Sequence, residues 1–432
     1  MTDAAPAPHL FVDLQVTQST AYGERGMPRY AGELAAALYE DGAPIAGFGL
    51  NPRLPPPARL PKSVTTSGLL VWNTIAEFRR LAASGPLTTL LTCPFFEEHP
   101  IESVLPRHML LGSAALAAVV YDLIPYAMPQ RYQQTVAEQR LYGLRHELVR
   151  RADVLLALSE HTRRDVIDRF GVEDDKVVVI GAGASEFFRP PVDARDATHE
   201  VQTALPDVTQ PFVLGVGGAD PRKNWAALVR GFAALPATLR DELQLVVVSN
   251  PVIRDTLRTL LEETGLPAGR VVLASNVSDA LLRALYQSAA LFVLPSVYEG
   301  FGLPALEAVR CGCPAITSNA TALPEVLQFP PATFPPLDVE ALSGLMRRAL
   351  EDEPFRSELV EAGRRAAAEH TWPRVAGRSL RALEGIRVGP SARPIPRRVA
   401  ILGVGTTDGD SVAGLPIGVL DAVADRVDLD CF

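Results

Sequence analysis

The densest group of residues that could do chemistry lies in the segment SVYEGFGLPALEAVRCGCPAITSN. Glu299 follows an apolar run, and a helical pattern starts near Leu303, just after Gly302. Because the first N–H groups of a helix are unpaired and lie at the positive end of its dipole, this loop is suited to bind an anion. Glu307 falls about one turn into the helix, where its carboxylate can accept two hydrogen bonds from a vicinal diol such as a ribose. A phosphate beside a ribose describes a nucleotide, whereas either glutamate alone could be a helix cap or a solvated helix residue.

A second group lies in GVGGADPRKNWAALVRGF. A strand-like run leads into Gly217 and Gly218, which let the backbone approach a ligand closely. Arg222 and Lys223 follow, and two fixed charges there suit a diphosphate, although an Arg-Lys pair in a loop is more often a solvated surface feature. Because Asp220 stands where the third glycine of G-x-G-x-x-G should be, the segment disfavours a nicotinamide-dependent enzyme.

The elements that must position these residues are short apolar runs alternating with helical patterns. The first series of runs is HLFVDL, APIAGFG, TLLTCPF, ALAAVVYDLI, VLLALS and KVVVIG. The second is FVLGVG, LQLVVVS, RVVLAS, ALFVLPS and PAITS, with helical patterns between the runs, one of them capped by Asn224. Continuous runs of this length indicate strands buried on both faces, as in parallel sheets covered by helices. The sequence therefore predicts an α/β protein with two doubly wound sheets and a ligand cleft at the carboxyl ends of the strands.

Composition shifts divide the chain. We predict an N-terminal, acceptor-side domain over 1–190, a Pro- and Asp-containing linker of little periodicity over 191–210, and a C-terminal donor domain over 211–370. A helical segment, 371–390, is predicted to cross back to the N-terminal domain. The tail 398–432 repeats the strand, glycine loop, helix and strand order of the first forty residues. It is predicted to open a second, truncated module of the same kind, with an extension that completes the first domain as the alternative.

Composition excludes several classes of protein. The net charge of −9 gives no basic surface for nucleic acid. The N-terminus has no basic region before an apolar run, and no apolar run is long enough to span a membrane, so a cytoplasmic protein is predicted. The four cysteines are too few for a disulfide scaffold and are read as buried small apolar residues. The histidines are isolated and no metal-ligand spacing occurs, so no metal is expected.

Through these two motifs, residues 9–386 resemble the retaining glycosyltransferases of family 4. The family's Glu-x7-Glu motif reads Glu299 to Glu307 and is followed by a Cys-Gly-x-Pro turn that ends at Pro314; its Arg/Lys pair matches Arg222 and Lys223. The resemblance implies the GT-B fold of two facing Rossmann-like domains. It also implies sugar transfer, with retention of configuration, from a GDP-, UDP- or dTDP-linked donor to a saccharide or lipid-linked acceptor in cell-surface polysaccharide synthesis, without a cofactor.

The resemblance also assigns roles to the matching residues. Arg222 and Lys223 would bind the donor diphosphate. Glu307 would bind the ribose hydroxyls, and Glu299 the hydroxyls of the donor sugar. Asp122, in the family-like segment VVYDLIP, completes the predicted catalytic set of Glu299, Arg222, Lys223 and Asp122.

The remaining donor contacts follow from the same resemblance. Backbone N–H groups of three consecutive residues would face the sugar and phosphates: Phe301, Gly302 and Leu303. Val277 would contact the base, and Gly26 belongs to a glycine loop near the diphosphate. The chain departs from the family at Pro28, which replaces the loop's second glycine and removes an N–H donor, and at Tyr121, where many members have His.

Two other classes of function stay open at this point. A sugar-nucleotide epimerase on the same architecture would need an acid/base constellation that the sequence does not show. A non-catalytic module that binds a nucleotide-sugar or a partner protein inside a larger chain would not need the whole donor motif. The Arg-rich helical segment 140–153 is a solvated face or, alternatively, a peripheral membrane contact at the inner face of the membrane.

Overall fold

The N-terminal lobe is built on a seven-stranded, fully parallel sheet. A computed structural model describes residues 9–19, 26–93 and 114–386. The strand order is β3-β2-β1-β4-β5-β6-β7. The strands are β1 His9–Asp13, β2 Ile45–Leu50, β3 Leu70–Trp72, β4 Leu87–Leu91, β5 Ala115–Val120, β6 Val154–Ala157 and β7 Val177–Val179. Six of them are the predicted apolar runs, whereas the three-residue edge strand β3 was not predicted.

Helices cover both faces of this sheet. They are α1 Met27–Glu40, α2 Lys62–Thr66, α3 Ile75–Ala82, α4 Ile124–Ala127, α5 Pro129–Tyr132, α6 Val136–Arg151 and α7 Glu160–Phe170. The sequence sets two of the helix starts through capping side chains. The hydroxyl of Thr135 accepts from Glu138 N in a capping box, and the hydroxyl of Ser159 accepts from Thr162 N.

The C-terminal lobe repeats the plan with a six-stranded parallel sheet of order β10-β9-β8-β11-β12-β13. Its strands are β8 Phe212–Val216, β9 Gln244–Val248, β10 Val271–Ala274, β11 Leu291–Leu294, β12 Ala315–Ser318 and β13 Thr333–Phe334. Its helices are α8 Ala194–Ala204, α9 Trp225–Ala233, α10 Ala237–Arg240, α11 Arg254–Thr264, α12 Asp279–Ser288, α13 Leu303–Arg310, α14 Leu323–Leu327, α15 Val339–Glu351 and α16 Glu353–Glu369. The prediction of two doubly wound parallel sheets is confirmed.

The segment 191–210, predicted to be a linker of little periodicity, is not irregular throughout. It contains α8, which begins after Asp193 and packs against α12 of the C-terminal lobe. Ala197 and Val201, one helical turn apart, are both buried. Two apolar residues are too few to define a helical period in the sequence. The helix was therefore not predicted.

The chain returns to the N-terminal lobe through the last described helix, α17 Trp372–Glu384, which packs against α1. The rings of Trp372 and Tyr30 make an edge-to-face contact with centroids 5.1 Å apart. Where the two connections between the lobes run side by side, a Cβ on Gly183 would lie 2.6 Å from the backbone nitrogen of Trp372. Only glycine permits this approach, so the two connections between the lobes are tightly packed against each other at this point.

Three of the four cysteines lie in the described residues, and all three are buried and free, as predicted: Cys93, Cys311 and Cys313. None of the helices in 9–19, 26–93 and 114–386 is long and apolar enough to cross a membrane. The segment 398–432, predicted to open a second module, lies outside the described residues.

Candidate active site

The carboxyl ends of the two sheets face each other across a closed cleft. Gly300 follows β11 of the C-terminal lobe, and a Cβ on it would lie 1.9 Å from the carbonyl oxygen of Tyr121, which follows β5 of the N-terminal lobe. The hydroxyl of Thr162, on α7, lies 3.3 Å from the carbonyl oxygens of both residues. The backbones of the two lobes therefore touch, and no side chain fits between them.

Arg222, Lys223 and Glu299 form one buried ionic cluster beside this contact. Arg222 Nη1 donates to Glu299 Oε2 at 2.8 Å, and Lys223 Nζ donates to Oε1 at 2.5 Å. Ser296 Oγ donates to the same Oε1 at 2.7 Å. The cations lie on a short 3-10 turn after β8, whose first N–H is capped by Asp220. The structure thus brings together the two halves of the predicted diphosphate and sugar site.

Burial and the neighbouring charges shift the pKa values of the groups in this cluster. Burial alone would raise the pKa of Glu299, but the charges of Lys223 and Arg222 outweigh it and lower the pKa to about 2. For Lys223 burial dominates, and it lowers the pKa of the ammonium group below its usual value despite the attraction of Glu299. The three charged groups sum to +1, and Asp220, whose carboxylate lies 3.7 Å from Arg222 Nε, offsets this charge; an incoming diphosphate would therefore meet two cations that are already paired.

Asp122 and Tyr121 lie on the opposite side of the cleft. Asp122 caps the turn that follows it, accepting from Ile124 N at 3.0 Å, and its charge helps to raise the pKa of Arg222 against the effect of burial. Tyr121 is buried, and its hydroxyl lies 3.4 Å from the carbonyl oxygen of Met27. The tyrosine therefore packs β5 against the start of α1.

Gly26 is the residue immediately before α1 and has φ 66°. This left-handed conformation favours glycine, so the prediction of a glycine turn here is consistent with the backbone. Pro28 is the second residue of α1, a position at which the missing N–H has no partner within the helix.

Glu307 is held from two directions. Its Oε2 accepts from the hydroxyl of Tyr286 at 3.0 Å, and its Oε1 accepts from Arg29 Nη1 at 3.3 Å. Arg29 also donates to both carboxylate oxygens of Asp279 at 2.5 and 2.6 Å, so a guanidinium of the N-terminal lobe joins two carboxylates of the C-terminal lobe. The contacts of Arg29, Tyr286 and Asp279 with this site were not predicted from the sequence.

Residues 301–303, where the chain enters α13, bring their backbone into the site. Gly302 has φ 110°, and a Cβ on it would lie 2.6 Å from Leu323 Cδ2. The helix begins at Leu303. Pro304 has no N–H, and Ala305 N and Leu306 N donate to the carbonyl oxygen of Gly302 at 3.0 and 3.4 Å, which leaves the N–H of Leu303 as the first-turn donor for a ligand. Phe301 is buried, with its ring 5.2 Å from that of His370. Only the backbone of Phe301, and not its side chain, is therefore available to a ligand.

Gly217 and Asn224 have a different physical basis from the one inferred from the sequence, whereas the base contact of Val277 stays a prediction. A Cβ on Gly217 would lie 3.1 Å from Lys223 Cδ, so this glycine makes room for the lysine stem, whereas Gly218 faces open space. Val277 is buried. Asn224, predicted as a helix cap, has φ 57° and makes no capping bond; its amide donates to the carbonyl oxygens of residues 295 and 336.

Residues 197–366 match the model of the family described as glycosyl transferases group 1. Serotype-specific mannosyltransferase WbdA of Escherichia coli is 33% identical over 262 residues, 60% of this chain and 32% of that protein. O-antigen chain mannosyltransferase B of Escherichia coli is 32% identical over 229 residues, 52% of this chain and 59% of that protein. This chain thus matches about a third of the first relative and three fifths of the second.

Solved structures share the whole two-lobed arrangement. HepE of Anabaena, solved in complex with UDP-glucose, aligns with a TM-score of 0.64 and 17% identity over 87% of this chain and 99% of its own. At this identity the likeness concerns the fold, which is GT-B, as predicted. Among the residues that the structure describes, no group of three or more His, Cys, Asp or Glu side chains could hold a metal ion.

Proposed function

We propose that this chain, whose donor-side lobe matches the glycosyl transferases of group 1, moves a hexose from a nucleotide-sugar to a hydroxyl of a growing cell-surface saccharide with retention of configuration. The observation that carries the proposal is the buried cluster of Arg222, Lys223 and Glu299, placed where the carboxyl ends of both sheets meet. The positive end of the α13 dipole, with the backbone N–H of Leu303, and the carboxylate of Glu307 complete the groups that a nucleoside diphosphate needs.

In the proposed reaction the acceptor hydroxyl attacks from the face that the diphosphate leaves. The bond between the sugar carbon and the diphosphate oxygen breaks, the bond to the acceptor oxygen forms, and the departing oxygen takes the acceptor's proton. Arg222, Lys223 and the α13 N-terminus stabilise the charge that develops on the diphosphate. Glu299, whose Oε2 keeps a lone pair beyond the one that accepts from Arg222, orients the sugar.

The nearest support for a donor comes from relatives named as mannosyltransferases, so we propose GDP-mannose first. The purified chain would be incubated with GDP-mannose, UDP-glucose and a dTDP-hexose, each with and without an oligomannose acceptor. We expect acceptor-dependent release of one nucleoside diphosphate and a larger product by mass spectrometry. If none of the three donors or their diphosphates raises the unfolding temperature, the nucleotide site is wrong.

Removal of metal ions is expected to leave this activity intact. We propose that Arg222 and Lys223 neutralise the diphosphate in place of a divalent cation. Initial rates would be compared after dialysis against EDTA and after adding back Mg²⁺ or Mn²⁺. A rate that collapses with EDTA and returns with either ion would contradict this expectation.

Glu307→Ala is expected to raise the donor KM by about 10- to 150-fold. This range corresponds to the loss of a charged hydrogen-bond pair with the ribose, about 1.5–3 kcal/mol. Steady-state kinetics with saturating acceptor would measure it, with Glu361→Ala as the control because Glu361 is an exposed, ion-paired glutamate on α16. An unchanged donor KM would remove the ribose assignment.

The remaining expectations concern the surroundings of the enzyme. We propose that it works in the cytoplasm at the inner face of the membrane, with the Arg-rich face of α6 towards lipid-linked acceptors. We also propose that 398–432 opens a second glycosyltransferase-like module, which is supported by a relative whose length is about three times the matched segment.

A further inference from the structure

One helix of the N-terminal lobe, α7, receives several polar contacts from the donor side of the molecule. Glu325, on α14 of the C-terminal lobe, accepts from the backbone N–H groups of Glu160 at 2.7 Å and His161 at 2.8 Å. These are the first two residues of α7, whose N–H groups have no acceptor within the helix. A carboxylate of one lobe thus caps a helix of the other, where the helix dipole favours a negative charge.

The flank of α7 contacts the donor loop, which we define as residues 298–302. The hydroxyl of Tyr298 donates to the carboxylate of Asp165, and Thr162 Oγ1 lies 3.3 Å from the carbonyl oxygen of Gly300. These contacts come from the first and third residues of the loop that contains Glu299. The loop is therefore held against α7 at two points in addition to the cap by Glu325.

The same loop also orients the cationic cluster. The carbonyl oxygen of Tyr298 accepts from Arg222 Nη1 at 2.9 Å, so this residue contacts the N-terminal lobe with its side chain and the cation with its backbone. Thr321 Oγ1 lies 2.9 Å from both the nitrogen and the carbonyl oxygen of Glu299. Thr321 precedes α14, the helix that contains Glu325. Hydrogen bonds thus connect the residues that contact α7 with Arg222 and Glu299, the side chains that would bind the donor.

We propose that Glu325 and Tyr298 are positioning residues, which dock the donor loop on α7 and thereby set the geometry of Arg222 and Glu299 when the lobes close. The proposal rests on the proposed function, since it assigns these residues to the transfer step. Most of the proposed donor contacts belong to the C-terminal lobe, so we expect docking to affect the transfer step more than donor binding. Docking aligns the loop and excludes water, which raises transfer relative to hydrolysis of the donor.

The test uses Glu325→Gln and Tyr298→Phe in the full chain, with Glu361→Gln as a matched control on an exposed helix of the same lobe. Gln keeps the shape of Glu325 but removes the charge, and Phe keeps the ring of Tyr298 but removes its donor. Each docking variant is expected to lower kcat by at least about tenfold. We expect the donor KM to change by less than about threefold, and hydrolysis to rise relative to transfer. The control should match the wild type.

Small-angle scattering of the substrate-free proteins provides a readout that needs no activity. The docking variants should show a larger radius of gyration than the wild type, at an unchanged unfolding temperature. Unchanged kcat, unchanged partition and identical scattering in both variants would overturn the proposal. If one variant unfolds, the other decides. If the wild type transfers no sugar, the proposed function fails, and scattering alone still tests the docking.

Discussion

Glu299→Gln is expected to abolish sugar transfer and to lower the free energy of unfolding by about 3–5 kcal/mol, because it breaks the salt bridges of two buried cations and leaves Arg222 with a longer contact, 3.7 Å, to Asp220. Lys223 Nζ and Arg222 Nη1 lie 2.5 and 2.8 Å from the Glu299 carboxylate, and the three side chains are 10, 18 and 9% exposed. Removing one partner of such a cluster costs more than the attraction itself, since the remaining charges stay desolvated.

The measurement is urea unfolding at neutral pH, with Glu361→Gln as the control, because that exposed glutamate should contribute at most about 1 kcal/mol. The pH dependence supplies a second check. The pKa of Glu299 is lowered from 4.5 to about 2, so its stabilisation is present above pH 4.5 and is lost as the pH falls towards 2. The difference in unfolding free energy between the wild type and Glu299→Gln should therefore decrease as the pH falls from 4.5 towards 2. A difference that stays constant would contradict the view that ionised Glu299 stabilises the cluster.

Arg222→Ala and Lys223→Ala are each expected to reduce kcat by about 10²–10³-fold, with a smaller effect on the donor KM. Negative charge builds on the leaving diphosphate in the transition state, so a cation aimed at it contributes more there than in the ground state. The two cations have one anionic partner in common, Glu299, and each variant leaves the other cation paired.

Steady-state kinetics with the donor that the three-donor assay identifies would measure these losses in kcat. Arg230→Ala is the control, since Arg230 lies on α9 close to the cluster in sequence but forms an exposed ion pair with Glu263 at 2.9 Å. The Arg230 variant should retain wild-type kcat. If Arg222→Ala and Lys223→Ala both turn over normally, the diphosphate binds elsewhere in the cleft.

The repeating part of the fold could be predicted from the sequence because buried parallel strands are continuous apolar runs. The exceptions are short: β3 has three residues at a sheet edge, and β13 has two. The helix α8 was missed for a related reason, since its buried stripe is limited to Ala197 and Val201. Elements that depend on packing against a neighbour give little local signal in their own residues.

The candidate site also has a part that the sequence predicted and a part that it did not. Arg222, Lys223 and Glu299 belong to two dense motifs, and the structure places them in one cluster. The contact of Arg29 with Glu307 joins residues 278 positions apart in the chain, and no spacing rule connects them. Cross-lobe contacts of this kind depend on how the two lobes meet, which a single sequence does not specify.

The return of the chain through α17 has a consequence for how the protein is made. Trp372 is partly buried and packs on Tyr30 against the core of the N-terminal lobe, although about 190 residues of chain separate β7 from α17. At about 5–20 residues per second, a ribosome needs about 10–40 s to synthesise that interval. During this delay the nascent lobe presents the uncovered apolar side of α1 to the cell. Because the C-terminal lobe is contiguous in sequence, it can fold completely before α17 is synthesised. The N-terminal lobe, although synthesised first, is therefore the last to complete its packing.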